Sequence, residues 1–366
     1  MAPLCRFGPK RGSKRRPYVF IVLFTMAPLL AACGASRTGP ADVSLIPISN
    51  ASGQMWKWSA GCPFGPRTDN SCRNAGPNLG PAQLEGDEWN LGPDQPAPGS
   101  LGMSVSSDGA LSLHADFSTT PPCRTSSCLA PNAYTWVRGF PSVLYGVNQC
   151  HGTTSPRVSK LLPLPMRVGA ISADLIGTTA YSLQSPQATY DIAYDMWLNR
   201  SNTKRPCMTN GTLEVMVWTD YNHPAQLPGT MEVAAASIPF VVNGVANSGK
   251  QAWGVFTSNV YGAGRTAPWG GTVWFVLNAA DIVDKGTVSV DLSSVLSAVG
   301  TLLQNNYGWR NFRENYWLDT IPFGMEFGPK DGSLTGSGAS HFSLKLSAFC
   351  LQPGTTLLHA PACKGS

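Results

Sequence analysis

From about residue 100 to 352 the chain is a succession of short runs in which apolar and polar positions alternate, separated by clusters of Gly, Pro, Asn, Asp and Ser. Period two marks a strand with one buried face. The runs predict strands at 110–117, 134–140, 189–198, 213–220, 253–259, 272–277, 317–327 and 341–350. One stretch has helical spacing instead: Leu292, Val295, Leu296, Val299, Leu302 and Leu303 recur on one face after Asp291, a natural N-cap, and Asn305, Asn306 and Gly308 end it. Many strands and one amphipathic helix predict an all-β fold, a two-sheet sandwich with the helix packed on its back.

Before this region the pattern changes. Residues 61–100 are dense in Gly, Pro and Asn, with Cys62 and Cys72 inside and Trp56, Trp58 and Trp89 nearby, and read as a stapled loop. Residues 33–54 lack a hydrophobic pattern and read as a tether; the globular domain is expected over 55–352, with 353–366 as a tail. Residues 1–32 read as an export signal: a cationic stretch (Arg6, Lys10, Arg11, Lys14, Arg15, Arg16) followed by the uncharged apolar run 18–32, short for a membrane span. Leu30-Ala31-Ala32-Cys33 resembles a bacterial lipobox, which implies lipidation of Cys33 and a lipid-anchored protein facing outward from the cell membrane, or a secreted one if the lipobox is not used.

That cleavage changes the charge. The chain is +5 overall, but all six cationic residues before Cys33 leave with the signal and no acidic residue goes with them, so the mature chain is −1. The basicity belongs to targeting, and no nucleic-acid partner is expected. Eight of the ten cysteines remain, which suits up to four disulfides in an exported chain. Cys62/Cys72 and Cys123/Cys128 are close enough for local pairs, with Cys150/Cys207 and Cys350/Cys363 as candidates for the rest; sequence leaves the connectivity open.

Candidate chemistry lies on three strands. In 213–220, alternation puts Glu214, Met216 and Trp218 on one face and Leu213, Val215 and Val217 on the other. The second face belongs to a core; the first suits a sugar-binding cleft. In 190–197, Asp191, Asp195 and Trp197 share a face, and a hairpin between the two runs would set one of those aspartates beside Glu214. Glu326, embedded in Phe323-Gly324-Met325-Glu326-Phe327-Gly328, should have a raised pKa through desolvation, as a general acid needs.

These residues resemble glycoside hydrolase family 12, the small endoglucanases. Leu-Glu-Val-Met-Val-Trp is similar to that family's nucleophile strand, Ala193-Tyr194-Asp195-Met196-Trp197-Leu198 to its aspartate strand, and Gly324-Met325-Glu326 to its acid/base strand. Leu113-His114-Ala115-Asp116-Phe117, Val137-Arg138-Gly139-Phe140-Pro141-Ser142 and Asp87-Glu88-Trp89 resemble further blocks, in order over about 84–350, and the Cys123/Cys128 pair fits bacterial members. The resemblance implies a β-jelly roll with a concave cleft, Glu214 as nucleophile, Glu326 as acid/base, and Asp195, in preference to Asp191, as the partner of Glu214. It implies retention of configuration, with the two carboxyls about 5–5.5 Å apart. Trp89, Asp87, Met216, Trp218 and Phe327 would contact the glucan. The chain departs from the family in carrying Asp87 for Asn and in lacking the residue between the acid and the following aromatic. It also has a longer Glu214–Glu326 separation, which suggests enlarged loops at 261–271 or 302–316, and an added stretch at 61–83.

The expected activity is a retaining endo-β-1,4-glucanase acting as a monomer without metal or cofactor. The alternatives are a xyloglucanase or mixed-linkage glucanase, or a catalytically weak glucan-binding lipoprotein. Gly244 to Lys250 approaches a phosphate-binding loop but continues with Gln251 where Ser or Thr is needed. There is no G-x-S-x-G elbow, and the five histidines show no metal-binding spacing; His114 reads as structural.

Overall fold

The computed structural model describes residues 43–46, 53–58, 75–79, 81–86, 99–118, 137–148, 153–154, 160, 162–171, 174–202, 211–223, 231–247, 251–258, 260, 271–332, 338–355, 357 and 363. Asp87, Trp89, Cys33, the export signal and the pairs Cys62/Cys72, Cys123/Cys128 and Cys150/Cys207 lie outside them. Pro40–Ser366 forms one compact unit.

The architecture is the expected two-sheet sandwich. With strands numbered along the chain, the first sheet runs in the order β15 (Val245–Asn247), β14 (Phe240–Val242), β18 (Lys285–Asp291), β10 (Leu175–Gln187), β20 (Ser340–Pro353), β6 (Leu111–Phe117), β5 (Gly99–Val105), β2 (Met55–Trp58), and β1 (Val43–Ile46) also pairs with β20. The second runs β13 (Met231–Ala236), β16 (Trp253–Ser258), β17 (Thr272–Leu277), β12 (Leu213–Tyr221), β11 (Thr189–Asn199), β19 (Trp317–Gly328), β7 (Ser142–Asn148), β4 (Ala82–Glu85), β3 (Ala75–Leu79). The short strands β8 (Thr153–Thr154) and β9 (Met166–Arg167) pair with β7 and β19. The pairing of β12 with β17 is parallel.

Alternation decides what each face does. Leu111, Leu113, Ala115 and Phe117 of β6, Leu344 and Leu346 of β20, Val215 and Val217 of β12, and Phe323 and Met325 of β19 all point into one continuous core between the sheets. Tyr194, Phe323 and Phe349 knit the middle of that core, with ring centroids 4.9–6.2 Å apart. The helix α1 (Leu292–Tyr307) forms as expected. The Asp291 carboxylate accepts from Ser294 N at 3.0 Å, and Gly308, at φ 71°, turns the chain out of the helix. Its apolar residues join the inter-sheet core, so it lies on the side of the second sheet away from Glu214.

Several expectations are corrected. The tether assigned to 33–54 contains β1, whose backbone pairs with β20, because strand pairing needs no strong hydrophobic pattern when the partner supplies the register. The tail assigned to 353–366 is tied back by a Cys350–Cys363 disulfide, as the candidate pairing anticipated. Residues 137–140 do not form a strand: only Gly139 bridges to Phe327, and Pro141 lacks the N–H a ladder needs. The 302–316 segment is no enlarged loop, since α1 runs to Tyr307 and a short helix α2 (Phe312–Asn315) follows.

Candidate active site

The second sheet presents one face to the core and, on the other, a row of acids set among apolar residues. Strand β11 lies between β12 and β19, and the register places the chemistry. Glu214 stands opposite Trp197, Met216 opposite Asp195, and Trp218 opposite Ala193. Glu326 stands opposite Asp191, and Gly324 opposite Ala193. A bulge at Thr219, whose hydroxyl donates to Ile192 O at 3.1 Å, inserts one residue into β12. Beyond it Asp220 turns inward, where Tyr190 Oη donates to it at 3.5 Å, and Tyr221 returns to the outer face.

Glu214 is partly exposed. Its Oε2 accepts a hydrogen bond from the hydroxyl of Thr272, its Cα partner on the parallel strand β17. Asp195 accepts from the indole Nε1 of Trp197 at 2.8 Å. The partners of Glu214 and Glu326 on β11, Trp197 and Asp191, are six positions apart, roughly 20 Å of extended strand. The two carboxyls can therefore meet only through side-chain reach and sheet curvature.

Asp191 is fully buried, and Glu326 is 7% exposed. Burial pushes the Asp191 carboxyl well above the usual carboxylate range; Glu326 acts in the opposite sense, and the charges of Asp195, Glu214 and Asp220 raise it further. The His223 ring lies with Nε2 3.7 Å from Asp191 Oδ2 and meets Trp218 edge-on at 5.0 Å. Gly324 makes this arrangement possible: a Cβ there would sit 2.3 Å from Pro141 O and 2.7 Å from Ser142 Cβ. Ser142 and Glu85 continue the row of Ala193 and Gly324, so the buried carboxyl of Glu85 shares this face two strands from Glu326.

The structure thus brings Glu214, Asp195, Glu326, Met216 and Trp218 to one face. Phe327 is corrected: alternation turns it away from Glu326 into the inter-sheet core, where it stacks on Phe117 at 6.1 Å and meets Phe342 at 5.4 Å. Trp218 and Met216 face outward but are covered, at 0% and 2% exposure, in a cluster with Phe256, Trp274 and Val276. Neither offers a sugar an open surface here; large apolar side chains on one face close over one another. Among the described residues of this face, Trp197 beside Glu214 and Tyr221 further along β12 are the partly exposed rings. Thr272, His223 and Glu85 went unrecognised, because each acquires its place through pairing with a distant strand or a turn beyond one.

No family profile matches the chain, and no curated protein is similar to it at the level of sequence. Among solved structures, a native family 12 xyloglucanase from Bacillus licheniformis is similar at 17% identity, over 76% of this chain and 98% of that one, with a TM-score of 0.49. A native endo-1,4-β-glucanase described as a cellulase is similar at 19% identity, over 77% and 96%, with a TM-score of 0.48. An endoglucanase from Rhodothermus marinus is similar at 17% identity, over 74% and 92%, with a TM-score of 0.44.

Proposed function

We propose that the chain hydrolyses a β-glucan, with Glu214 as nucleophile and Glu326 as general acid and base. The observation that carries this reading is the register of β11. It holds two aspartates between two strands that each contribute one glutamate to the same outer face of a sheet whose other face, Asp220 apart, packs into the apolar core. An outer face has no packing reason to bury acids. The strand motifs around these residues are those that resemble family 12 glycoside hydrolases.

In the reaction so read, Glu214 attacks the anomeric carbon while Glu326 gives its proton to the leaving oxygen. Water, deprotonated by Glu326, then displaces Glu214, and configuration is retained. Thr272 orients the Glu214 carboxylate, and its hydrogen bond favours the ionised form that a nucleophile requires. Asp195, braced by Trp197, supports the same side chain; Trp197 offers a ring for a pyranose face, and Asp87 and Trp89 would contact the sugar further along. The substrate is read as internal β-1,4 linkages of cellulose-type glucan, and the protein as a monomer held outside the cell membrane through lipidated Cys33.

The test is reducing-end release from carboxymethylcellulose, mixed-linkage β-glucan and xyloglucan by the soluble chain starting after Cys33, beside Glu214→Gln. Activity on at least one polymer is expected, with a loss of about 1,000-fold or more in the variant, the scale of removing a group that acts in the transition state. No release from any of them overturns the reading, and equal activity in the variant removes Glu214 from it. The anomer released first, followed by NMR, decides retention. Cys33→Ala should move the full chain from the membrane fraction to the medium; an unchanged fraction overturns the anchor.

A further inference from the structure

The reaction above leaves Asp191 without a task. Its side chain is fully buried, neither carboxyl oxygen accepts from an N–H, and the hydrogen-bonding group beside it is another acid, Glu326. A carboxyl stripped of water and left without donors is among the most expensive groups a protein can keep ionised. Acids surround it: the charges of Asp195, Glu214 and Asp220 make ionisation harder still, while Glu326 acts in the opposite sense. Glu326 stands opposite on β19; Tyr221 stands opposite on β12, which also contributes the acids Glu214 and Asp220; Asp195 lies four residues on along the same strand. Among the described residues, the basic group set against it is the His223 imidazole, 3.7 Å from Oδ2, too long for a hydrogen bond.

We propose that Asp191 acts as a neutral carboxylic acid that donates its hydroxyl hydrogen to Glu326, holding that side chain in place and stabilising its carboxylate. The inference rests on Glu326 being the acid and base of the proposed function. In the first half-reaction the proton on Glu326 passes to the leaving oxygen as the bond from the anomeric carbon to that oxygen breaks and the bond to Glu214 forms. Glu326 is then a carboxylate. Beside an ionised Asp191 it would make a buried pair of like charges, which opposes proton release; beside a protonated Asp191 it gains a charge-assisted hydrogen bond. In the second half-reaction water gives its proton to Glu326 and its oxygen to the anomeric carbon, the bond to Glu214 breaks, and the pair returns to two protons. Asp191 keeps its own proton throughout and touches no substrate, so it is a positioning residue. Burial, which already pushes this carboxyl well above its ordinary range, supplies the neutral form.

Asp191→Asn replaces the acid with an amide that donates a hydrogen but cannot ionise. Asp191→Ala removes the donor. In the wild type, activity should fall with rising pH as the pair loses its first proton. In Asp191→Asn that limb should move upward by about one pH unit or more, the scale of strongly interacting acids, with activity on the acid side retained. In Asp191→Ala kcat should fall at every pH while KM holds. An alkaline limb that stays in place or moves downward in Asp191→Asn overturns the inference.

Infrared difference spectroscopy supplies a readout independent of turnover. The wild type minus Asp191→Asn difference spectrum near neutral pH should contain a protonated carboxyl band, since Glu326 and Asp220 contribute to both spectra. Absence of that band from the difference spectrum overturns the inference even if glucan is hydrolysed. A band that is present, in a protein that hydrolyses no glucan, supports the neutral Asp191 and counts against the proposed function alone. Should Asp191→Asn fail to fold, the band is followed in Glu326→Gln: losing its acidic partner must move the Asp191 titration to lower pH, and an unmoved titration overturns the pairing.

Discussion

Two polar side chains of the second sheet, Thr272 beside Glu214 and Asp220 turned inward by the bulge in β12, make different predictions. Thr272 donates to Glu214 from a neighbouring strand. Thr272→Val keeps the shape and removes the donor, so kcat should drop by about 10- to 100-fold, the range for a hydrogen bond to a charged group. Steady-state kinetics on the best polymer checks this, and an unchanged kcat would separate Thr272 from the role proposed for Glu214. Asp220 instead faces the core. Its pKa is raised from 3.8 to about 7, chiefly by burial and then by the charge of Asp284, against hydrogen bonds from Tyr221 N and Tyr190 Oη. The folded state therefore holds this proton more tightly than the unfolded chain. The associated stability is complete below about pH 4 and is lost as pH rises through about 7, a loss of the order of 4 kcal/mol. Asp220→Asn should flatten that decline in denaturant midpoints and leave the variant more stable than the wild type at pH 8. At this scale the sequence showed Glu214 and Glu326 through alternation and apolar flanks. It could not show Thr272, whose partner lies 58 residues away.

Among the elements, the helix was legible from its cap to its terminating glycine, although it runs on through Asn305 and Asn306, which were read as part of its end. Its cap, its apolar stripe and its terminating glycine act within a few residues of one another, so local sequence contains the whole argument. Asp291→Ala should therefore destabilise the fold by about 1 kcal/mol, visible as a lower thermal midpoint with the cleft chemistry intact. Strands with clean alternation, such as β6, β12 and β19, were equally legible. Strands β5, β7, β10 and β18 were not. In β10, small and polar residues such as Gly177, Thr178, Thr179 and Ser182 blur the period, although Gly177 is needed because a Cβ there would come within 2.9 Å of Leu292 and Tyr194. Phe327 shows the complementary error: its neighbour Glu326 drew it toward the cleft on paper, while period two turns it into the core.

For the molecule as a whole, closure depends on chain ends that looked like appendages. Strand β1 and the residue Cys363 both attach to β20, which lies beside β10 at the centre of the first sheet. Cys363→Ser should lower stability by about 3 kcal/mol, since the bond closes a loop of 13 residues; denaturant unfolding in the presence and absence of reductant checks it. The sequence by itself determined the all-β character, the helix, the positions of the two candidate glutamates and the facing of side chains on the cleanly alternating strands, because period and capping are short-range physics. Only the tertiary structure decided which acid meets which. Asp195 was favoured as the neighbour that matters, yet register sets Asp191 against Glu326 and Asp195 against Met216, with Trp197 opposite Glu214. Register is fixed by how three strands and a bulge fit over a shared core, and no segment carries that information alone.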